Sequence, residues 1–349
     1  MRLLIITQKV DQNDDVLGFM HGWIAEFAKH CEQVTVIGLS VRDYDLPSNV
    51  KVFSLGKEIA ASRRKYLWNF YRIIFRERNN YDAVFVHMNE QYVLLGFPLW
   101  KLMHKSVGLW YAHGNVSLSL RIAEQLADII FTSTKTGFRL SSKKVHIVGQ
   151  GIDMERFALT GHTRAPDDPL RLIVVGRISP VKDYETTLRA VALLKEQGKN
   201  VTLDIVGGAG LPEQQEYFKA LKKLTSELHI DETVRFHGGL PNSAIGTLLA
   251  RAHIFVSTSH TGSFDKAIGE AMATGLPILT CNEAFAEVLG EYASALMFSG
   301  GDVSALVKKI EDLSEQKDED RAALGKALRD IIVTQHSLSG FVQKILSYY

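Results

Sequence analysis

The sequence predicts an α/β protein built of two doubly wound domains. Its 349 residues exceed what one ordinary core holds and suit two domains of common size. Short β-branched runs alternate with helical patterns from the first residue, the mark of a parallel sheet covered by helices on both faces. A loop-like stretch, ALTGHTRAPDDP (158–169), interrupts the alternation with Gly, two Pro and acidic residues, after which the alternation restarts.

In the first half the strand runs are RLLIITQ, QVTVIGL, KVFSLG, DAVFVHM, VGLWYAHG and IIFTST. In the second they are RLIVVGR, VTLDIVGG, VRFHGGL, HIFVSTS and PILTCN, separated by helical stretches such as DYETTLRAVALLKEQGK and PEQQEYFKALKKLTSELH. Three helical runs, 302–316, 320–334 and 337–347, follow the last strand. The expected organisation is a first domain over 1–158, a second over 169–330, and a C-terminal helix in 331–349 that crosses back to the first domain. Two such domains face each other across a cleft, and ligands are expected at the carboxyl ends of the strands that line it.

Composition narrows the class. Hydrophobic residues make up 46% and charged residues 23%, which separates the chain from disordered and membrane-spanning proteins. The opening MRLLIITQKV turns polar too soon for a signal peptide, and no run approaches the length of a membrane span. Cys31 and Cys281 are far apart in sequence, so neither a disulfide framework nor a metal site is expected, and a cytoplasmic setting follows. The net charge of +1 hides an asymmetry: segment 57–80 holds seven basic residues against two acidic ones.

Four stretches can carry chemistry. In VVGRISPVKDYETTL (174–188), Arg177 and Lys182 lie on one strand-to-helix loop, with Asp183 as the helix N-cap. Two cations there suit a diphosphate whose departure leaves charge to be stabilised; solvated loop charges are the plainer reading. In DIVGGAGLPEQQ, Gly207 and Gly208 follow a strand without the spacing of a dinucleotide fingerprint, so a tight turn explains them about as well as a phosphate. FHGGLPNSAIG offers His237 and the backbone of Gly238 to a base edge, or is an ordinary loop. SHTGSFDKAIGEAMATG (259–275) supplies Thr261, Gly262, Ser263, Asp265 and Lys266 ahead of a helix carrying Glu270. The helix start favours anions, and the Glu270 carboxylate suits two adjacent hydroxyls of a polyol or else faces solvent.

The order of these parts is more specific than any one of them. GRISPVK, the following Gly-Gly, FHGGLP and GEAMATGLPIL closely resemble the nucleotide-sugar domain of retaining glycosyltransferases of the family 4 type (glycosyl transferases group 1), which have the GT-B fold of two Rossmann-like domains. The first half resembles that family more sparsely, through the polar loop with Gly18, the AHG at 112–114, IFTST, and VGQGIDMERF (148–157). The resemblance implies that Arg177 and Lys182 bind the donor diphosphate and that Glu270 holds the ribose hydroxyls. It implies further that His113 lies near the transferred sugar, with a turn or core histidine as the alternative, and that Gly18 lets its loop approach the donor phosphate. One departure stands out: the family's first acid, eight residues before Glu270, is Gly262 here, so Thr261, Ser263, Asp265 and the loop amides are the substitutes for sugar contacts, Asp265 foremost.

The implied reaction is transfer of a sugar from a UDP- or GDP-type nucleotide sugar to a hydroxyl on a glycan or lipid-linked acceptor, with retention, in surface polysaccharide, lipopolysaccharide or glycolipid synthesis. No metal and no further cofactor is required by that arrangement, and Asp43-Tyr44-Asp45, which looks like a metal-binding acid pair, reads as a turn. A noncatalytic sugar-nucleotide binding module and a nucleotide-sugar epimerase are the rival readings. For segment 57–80, whose arginines and lysines interleave with Tyr66, Leu67, Trp68, Phe70, Tyr71 and Phe75, two readings stand open. One is a helix lying on an anionic membrane, on the inner face of the cell membrane; the other is a helix packed on its own sheet with a basic outer face. No RNA- or DNA-binding motif accompanies the patch, and nucleic acid is not an expected partner.

Overall fold

The computed structural model describes residues 1–161, 165 and 168–349. The chain forms two compact units, Met1–Gly151 together with Gln335–Tyr349, and Ile152–Thr334. The change of unit therefore precedes residue 158: Ile152 and Phe157 are already fully buried in the second core. The expected linker 158–169 lies partly outside the described residues.

The first unit holds a seven-stranded sheet. Its strands are β1 (Arg2–Val10), β2 (Gln33–Val41), β3 (Val50–Ser54), β4 (Ala83–His87), β5 (Ser106–Trp110), β6 (Ile129–Thr132) and β7 (Val145–Ile147). They are ordered β3-β2-β1-β4-β5-β6-β7 with parallel pairings throughout, the doubly wound order. Only β7 escaped the strand pattern, because it is three residues long and partly exposed at the sheet edge. Side-chain alternation along β1 serves two cores. Leu3 and Ile5 meet Met20, Trp23, Ile24 and Phe27 of helix Phe19–His30, while Leu4 and Ile6 meet the opposite layer containing helices Arg63–Arg76, Gln91–Leu102 and Leu118–Leu126.

The terminal helix Leu338–Leu346 packs on the first of these faces through Phe341, Val342 and Ile345. Beyond it, the Tyr349 hydroxyl donates to the Val84 carbonyl at 2.7 Å. Position 108 must be glycine for this, since a Cβ there would stand 2.1 Å from the tyrosine oxygen.

The second unit holds β8 (Leu170–Val175), β9 (Val201–Val206), β10 (Val234–Gly238), β11 (Ile254–Ser257) and β12 (Ile278–Thr280), ordered β10-β9-β8-β11-β12 and again parallel. The strand order reverses between β8 and β11, so the loops after these two strands leave in opposite directions and open a crevice at the carboxyl edge. Both loops were among those singled out for chemistry. The three closing helices are Val303–Ser314, Asp318–Gln335 and Leu338–Leu346.

Helix Arg63–Arg76 answers part of the question left by its segment. Phe70, Ile73 and Ile74 are buried against the sheet, so the helix does pack on its own domain. Its outer face, however, is not simply basic, because Leu67, Trp68, Tyr71 and Phe75 are exposed there. Asp43, Tyr44 and Asp45 lie in an exposed irregular connection between β2 and β3 rather than in a regular turn. Both cysteines are free; burial pushes the Cys31 thiol up and the Cys281 thiol to about 11, which leaves each protonated and unreactive at neutral pH.

Candidate functional site

The crevice at the β8/β11 switch point brings together most of the second-unit candidates. After β8 the chain runs through Gly176 and Arg177 into a turn, Pro180–Lys182, before helix Tyr184–Glu196. Tyr184 is fully buried and donates from its hydroxyl to the Gly176 carbonyl at 2.6 Å. Burial raises that phenol's pKa, so it stays a donor and anchors the turn from which Arg177 projects. The Arg177 side chain is exposed and has no hydrogen-bond or ion-pair partner among the described residues.

Asp183 caps the following helix from the left-handed region, at φ 45°. Aspartate is among the few non-glycine residues that visit this region, because its short side chain can hydrogen-bond locally. It is held by Thr186, whose hydroxyl donates to the Asp183 carboxylate at 2.7 Å, and by the buried Thr258 hydroxyl, within 2.8 Å of the carbonyls of both Lys182 and Asp183. Thr258 follows β11, so this single side chain locks the two crevice loops together.

Lys182 does not point into open space. Its ammonium lies 2.5 Å from a carboxylate oxygen of Asp265, with the two side chains only 15% and 10% exposed. Asp265 also caps helix Lys266–Ala273 by accepting from the Ala267 amide at 3.2 Å. The residue chosen from sequence as the first substitute for a sugar contact is thus bound to a residue chosen for the diphosphate. Sequence could not reveal this pairing, because the two are 83 positions apart and meet only through the switch-point topology.

Glu270 is almost completely buried. Its Oε1 accepts from Lys266 Nζ at 2.8 Å and from Asn242 Nδ2 at 3.1 Å. Asn242 opens helix Asn242–Leu249 after the Gly-Gly-Leu-Pro turn, and its own Oδ1 accepts from Arg156 at 2.7 Å. Arg156, the Arg of MERF, sits beside Asp153 at 3.8 Å. Asn242 and Arg156 are positioning residues that the sequence reading missed. The signal available was a polar amide directly after Pro241 and an arginine inside a recognised motif.

The glycines divide into two kinds. Gly207 is required by close approach: a Cβ there would lie 1.7 Å from the Gly176 carbonyl oxygen, and neighbouring Gly208 accepts from the Ile178 amide at 2.9 Å. These residues therefore seat the β8 loop on the β9 loop. Gly238, at φ 72°, has open space on its side-chain side. His237 is bound to Asp204 across the β9–β10 pair at 2.7 Å. Gly262 sits at φ 61°, a conformation L-residues rarely adopt, so the missing family acid coincides with a backbone shape that a glutamate would strain. Asn282 donates to the Ser263 carbonyl at 2.9 Å and lies 3.3 Å from the Thr261 hydroxyl, which holds this loop.

Gly18 and His113 belong to the first unit. Gly18 is packed against its own loop, where a Cβ would come 2.4 Å from the Asp14 carbonyl oxygen. His113 is exposed after β5, its amide bound to the Gly137 carbonyl and its Nδ1 accepting from the Asn115 amide at 3.0 Å.

Comparison with known families decides the class. The model of the family described as glycosyl transferases group 1 matches residues 156–330, half of the chain and the stretch from Arg156 through Glu270. The chain belongs to the glycosyl transferases group 1 family. Among curated relatives, this group 1 member is 27% identical over 187 residues to the D-inositol 3-phosphate glycosyltransferase of Streptomyces avermitilis, covering 49% of the chain and 39% of that protein. It is 28% identical over 181 residues to the amylovoran biosynthesis glycosyltransferase AmsK of Erwinia amylovora, covering 50% of the chain and 43% of the relative. The chain thus spans less than half the length of these relatives. Among solved structures, Anabaena HepE in complex with UDP and glucose superposes with a TM-score of 0.77 over 100% of the chain and 99% of HepE, at 17% identity. That likeness establishes the GT-B fold for this group 1 member.

Proposed function

We propose that the protein transfers a glycosyl group from a UDP- or GDP-type sugar to a hydroxyl of a glycan or lipid-linked acceptor, with retention at the anomeric carbon, in cell-surface polysaccharide or glycolipid synthesis. The carrying observation is the crevice at the β8/β11 switch point, where an unpartnered guanidinium, Arg177, shares a loop with Lys182 and the buried carboxylate of Glu270 is held by Lys266 and Asn242. Family membership, the UDP and glucose found with HepE and the amylovoran role in the name of AmsK support the same reading.

In this reaction the bond between the anomeric carbon and the diphosphate oxygen breaks, a bond from the acceptor oxygen to that carbon forms, and the acceptor hydroxyl's proton passes to the departing diphosphate oxygen. Negative charge grows on the departing diphosphate. Arg177 and Lys182 stabilise it, and preorganised cations contribute most when water is excluded. Because Lys182 is bound to Asp265, the diphosphate takes the place of that carboxylate on the ammonium. Glu270 accepts from the two ribose hydroxyls, and the backbone at 207–208, His237 and Gly238, and loop 261–266 line the base and sugar portions. His113 and Gly18 carry their roles in the first unit on the family resemblance alone.

The test is thermal stabilisation by a panel of nucleoside diphosphates and their sugars, followed by product analysis. A selective shift with one base, lost in Arg177→Ala and in Glu270→Gln, supports the donor site. Slow release of nucleoside diphosphate without acceptor separates a transferase from the rival binding module, toward which Gly262 and the Lys182–Asp265 pair point. Absence of any shift across the panel sinks the proposal.

A further inference from the structure

Helix Arg63–Arg76 carries a wide apolar arc, of which only part is buried. Its inner face, Phe70, Ile73 and Ile74, is buried in the core of the first unit. On the adjoining face, Leu67, Trp68, Tyr71 and Phe75 recur at i, i+1, i+4 and i+8, and they are 41%, 68%, 38% and 55% exposed. An exposed apolar face of this extent, continuous with the buried one, marks an interaction surface. Trp68 is the only exposed tryptophan among the described residues, the other three being buried.

Charge flanks this stripe. Lys65, Arg72 and Arg76 recur at i, i+7 and i+11 along one side, and Arg63 and Arg64 stand exposed in the first turn. Arg78 leans over the Phe75 ring at 4.3 Å, so this cation stays next to the exposed apolar face, whereas Arg76 leans over Phe53 of β3 at 4.8 Å. The only acids of the segment are engaged: Glu77 pairs with Arg76, and Glu58 accepts from the Ser54 hydroxyl at 2.6 Å and from the Val41 amide at 3.2 Å. A mostly apolar cavity of about 710 Å³ adjoins the helix, lined in part by Tyr66, Leu67, Leu94 and Leu95 with Lys57 and Arg63.

We propose that this outer face docks on an anionic lipid bilayer, with Trp68, Tyr71 and Phe75 at headgroup depth and the flanking lysine and arginines against lipid phosphates. The exposed Trp68 indole, apolar with one polar N–H, suits that depth, and basic flanks suit its negative potential. Among the described residues no helix is long and apolar enough to cross a membrane, so the contact is a surface one. The surface lies wholly in the first unit, and its test is independent of donor binding.

The experiment is co-sedimentation with vesicles of phosphatidylcholine alone or with one third phosphatidylglycerol, alongside tryptophan fluorescence. Binding is expected to the anionic vesicles, with a blue shift that is lost in Trp68→Phe while binding largely persists. Lys65→Gln with Arg72→Gln should weaken it about 25-fold, at roughly fivefold per cation, and raised salt should do likewise. Trp68→Ser with Phe75→Ser should abolish it without changing the melting temperature, since both side chains are exposed. Equal binding to neutral and anionic vesicles, unaltered binding in the serine variant, or a concentration-dependent dimer that the serine variant dissolves would each overturn the proposal, the last in favour of a second copy of this chain as the occupant.

Discussion

Glu270 is expected to be a stability residue as well as a ligand contact, and the two roles can be measured apart. Its carboxylate and the Lys266 ammonium lie 2.8 Å apart with side chains 5% and 18% exposed, which makes this a largely buried pair. Removing one member of a buried pair costs about 3–5 kcal/mol; with Lys266 retaining some water contact, about 3 kcal/mol is the appropriate figure for Glu270→Ala. In a unit of this size each kcal/mol lowers the midpoint by about 2–4 °C, so the second unit should melt about 6–12 °C lower. Calorimetry is the right assay, because the two units can unfold as separate transitions. The decisive comparison is a double-mutant cycle of Lys266→Met and Glu270→Gln. Each single change should destabilise, and the double variant should lose little more than one of them, a coupling of about 2 kcal/mol. Strictly additive losses would refute the claim that the pair holds the Glu270 carboxylate in place. Asn242→Ala should lower the melting temperature by about 2–8 °C and weaken nucleotide binding, because it removes the bond to the buried Glu270 carboxylate and the bond from Arg156, about 1–2 kcal/mol.

Other outcomes follow from the same geometry. Asp265→Asn keeps an N-cap side chain and removes the anion that competes for Lys182; titration calorimetry with UDP and GDP should show binding tightened about tenfold, the worth of one charge-assisted hydrogen bond, and unchanged or weaker binding would show that the carboxylate does not compete. Gly207→Ala should destabilise the second unit by about 3 kcal/mol or more and lower donor affinity, since its Cβ would collide with the Gly176 carbonyl; a variant of native stability would show that the β8 loop tolerates displacement. Burial pushes His87 down to about 3, with Trp110 stacked 5.3 Å away and Thr7 within 3.2 Å of its Nδ1. The unfolded imidazole takes a proton near pH 6.5 and the folded one does not. This stability is therefore intact above about pH 6.5 and falls by about 1.4 kcal/mol per pH unit as pH drops toward 3. His336, lowered to about 4, adds a second proton over the same range. Urea unfolding at pH 7 and pH 4.5 should lose about 3 kcal/mol less in His87→Asn than in the native chain, and parallel acid limbs would contradict this.

What the sequence determined was what repeats locally. Alternating strand and helix periods, a Gly-Arg turn after β8, an acid cap at Asp183 and a glutamate in a small-residue helix are each readable over a few residues, because strand pleat, helix pitch and capping act at that range. The strand runs accordingly found their places, apart from β7, too short and too exposed at an edge to show a period. The tertiary structure alone decided partnerships. Parallel pairing with a reversal between β8 and β11 brings Lys182 to Asp265, and the turn after β10 brings Asn242 to Glu270, across separations of 83 and 28 residues. The same holds for direction: composition marked residues 57–80 as basic and aromatic, but only packing could show which aromatics the core takes and which it leaves outside. Electrostatic pairing and burial depend on distance through space, and the chain sets that distance only after its sheets have formed.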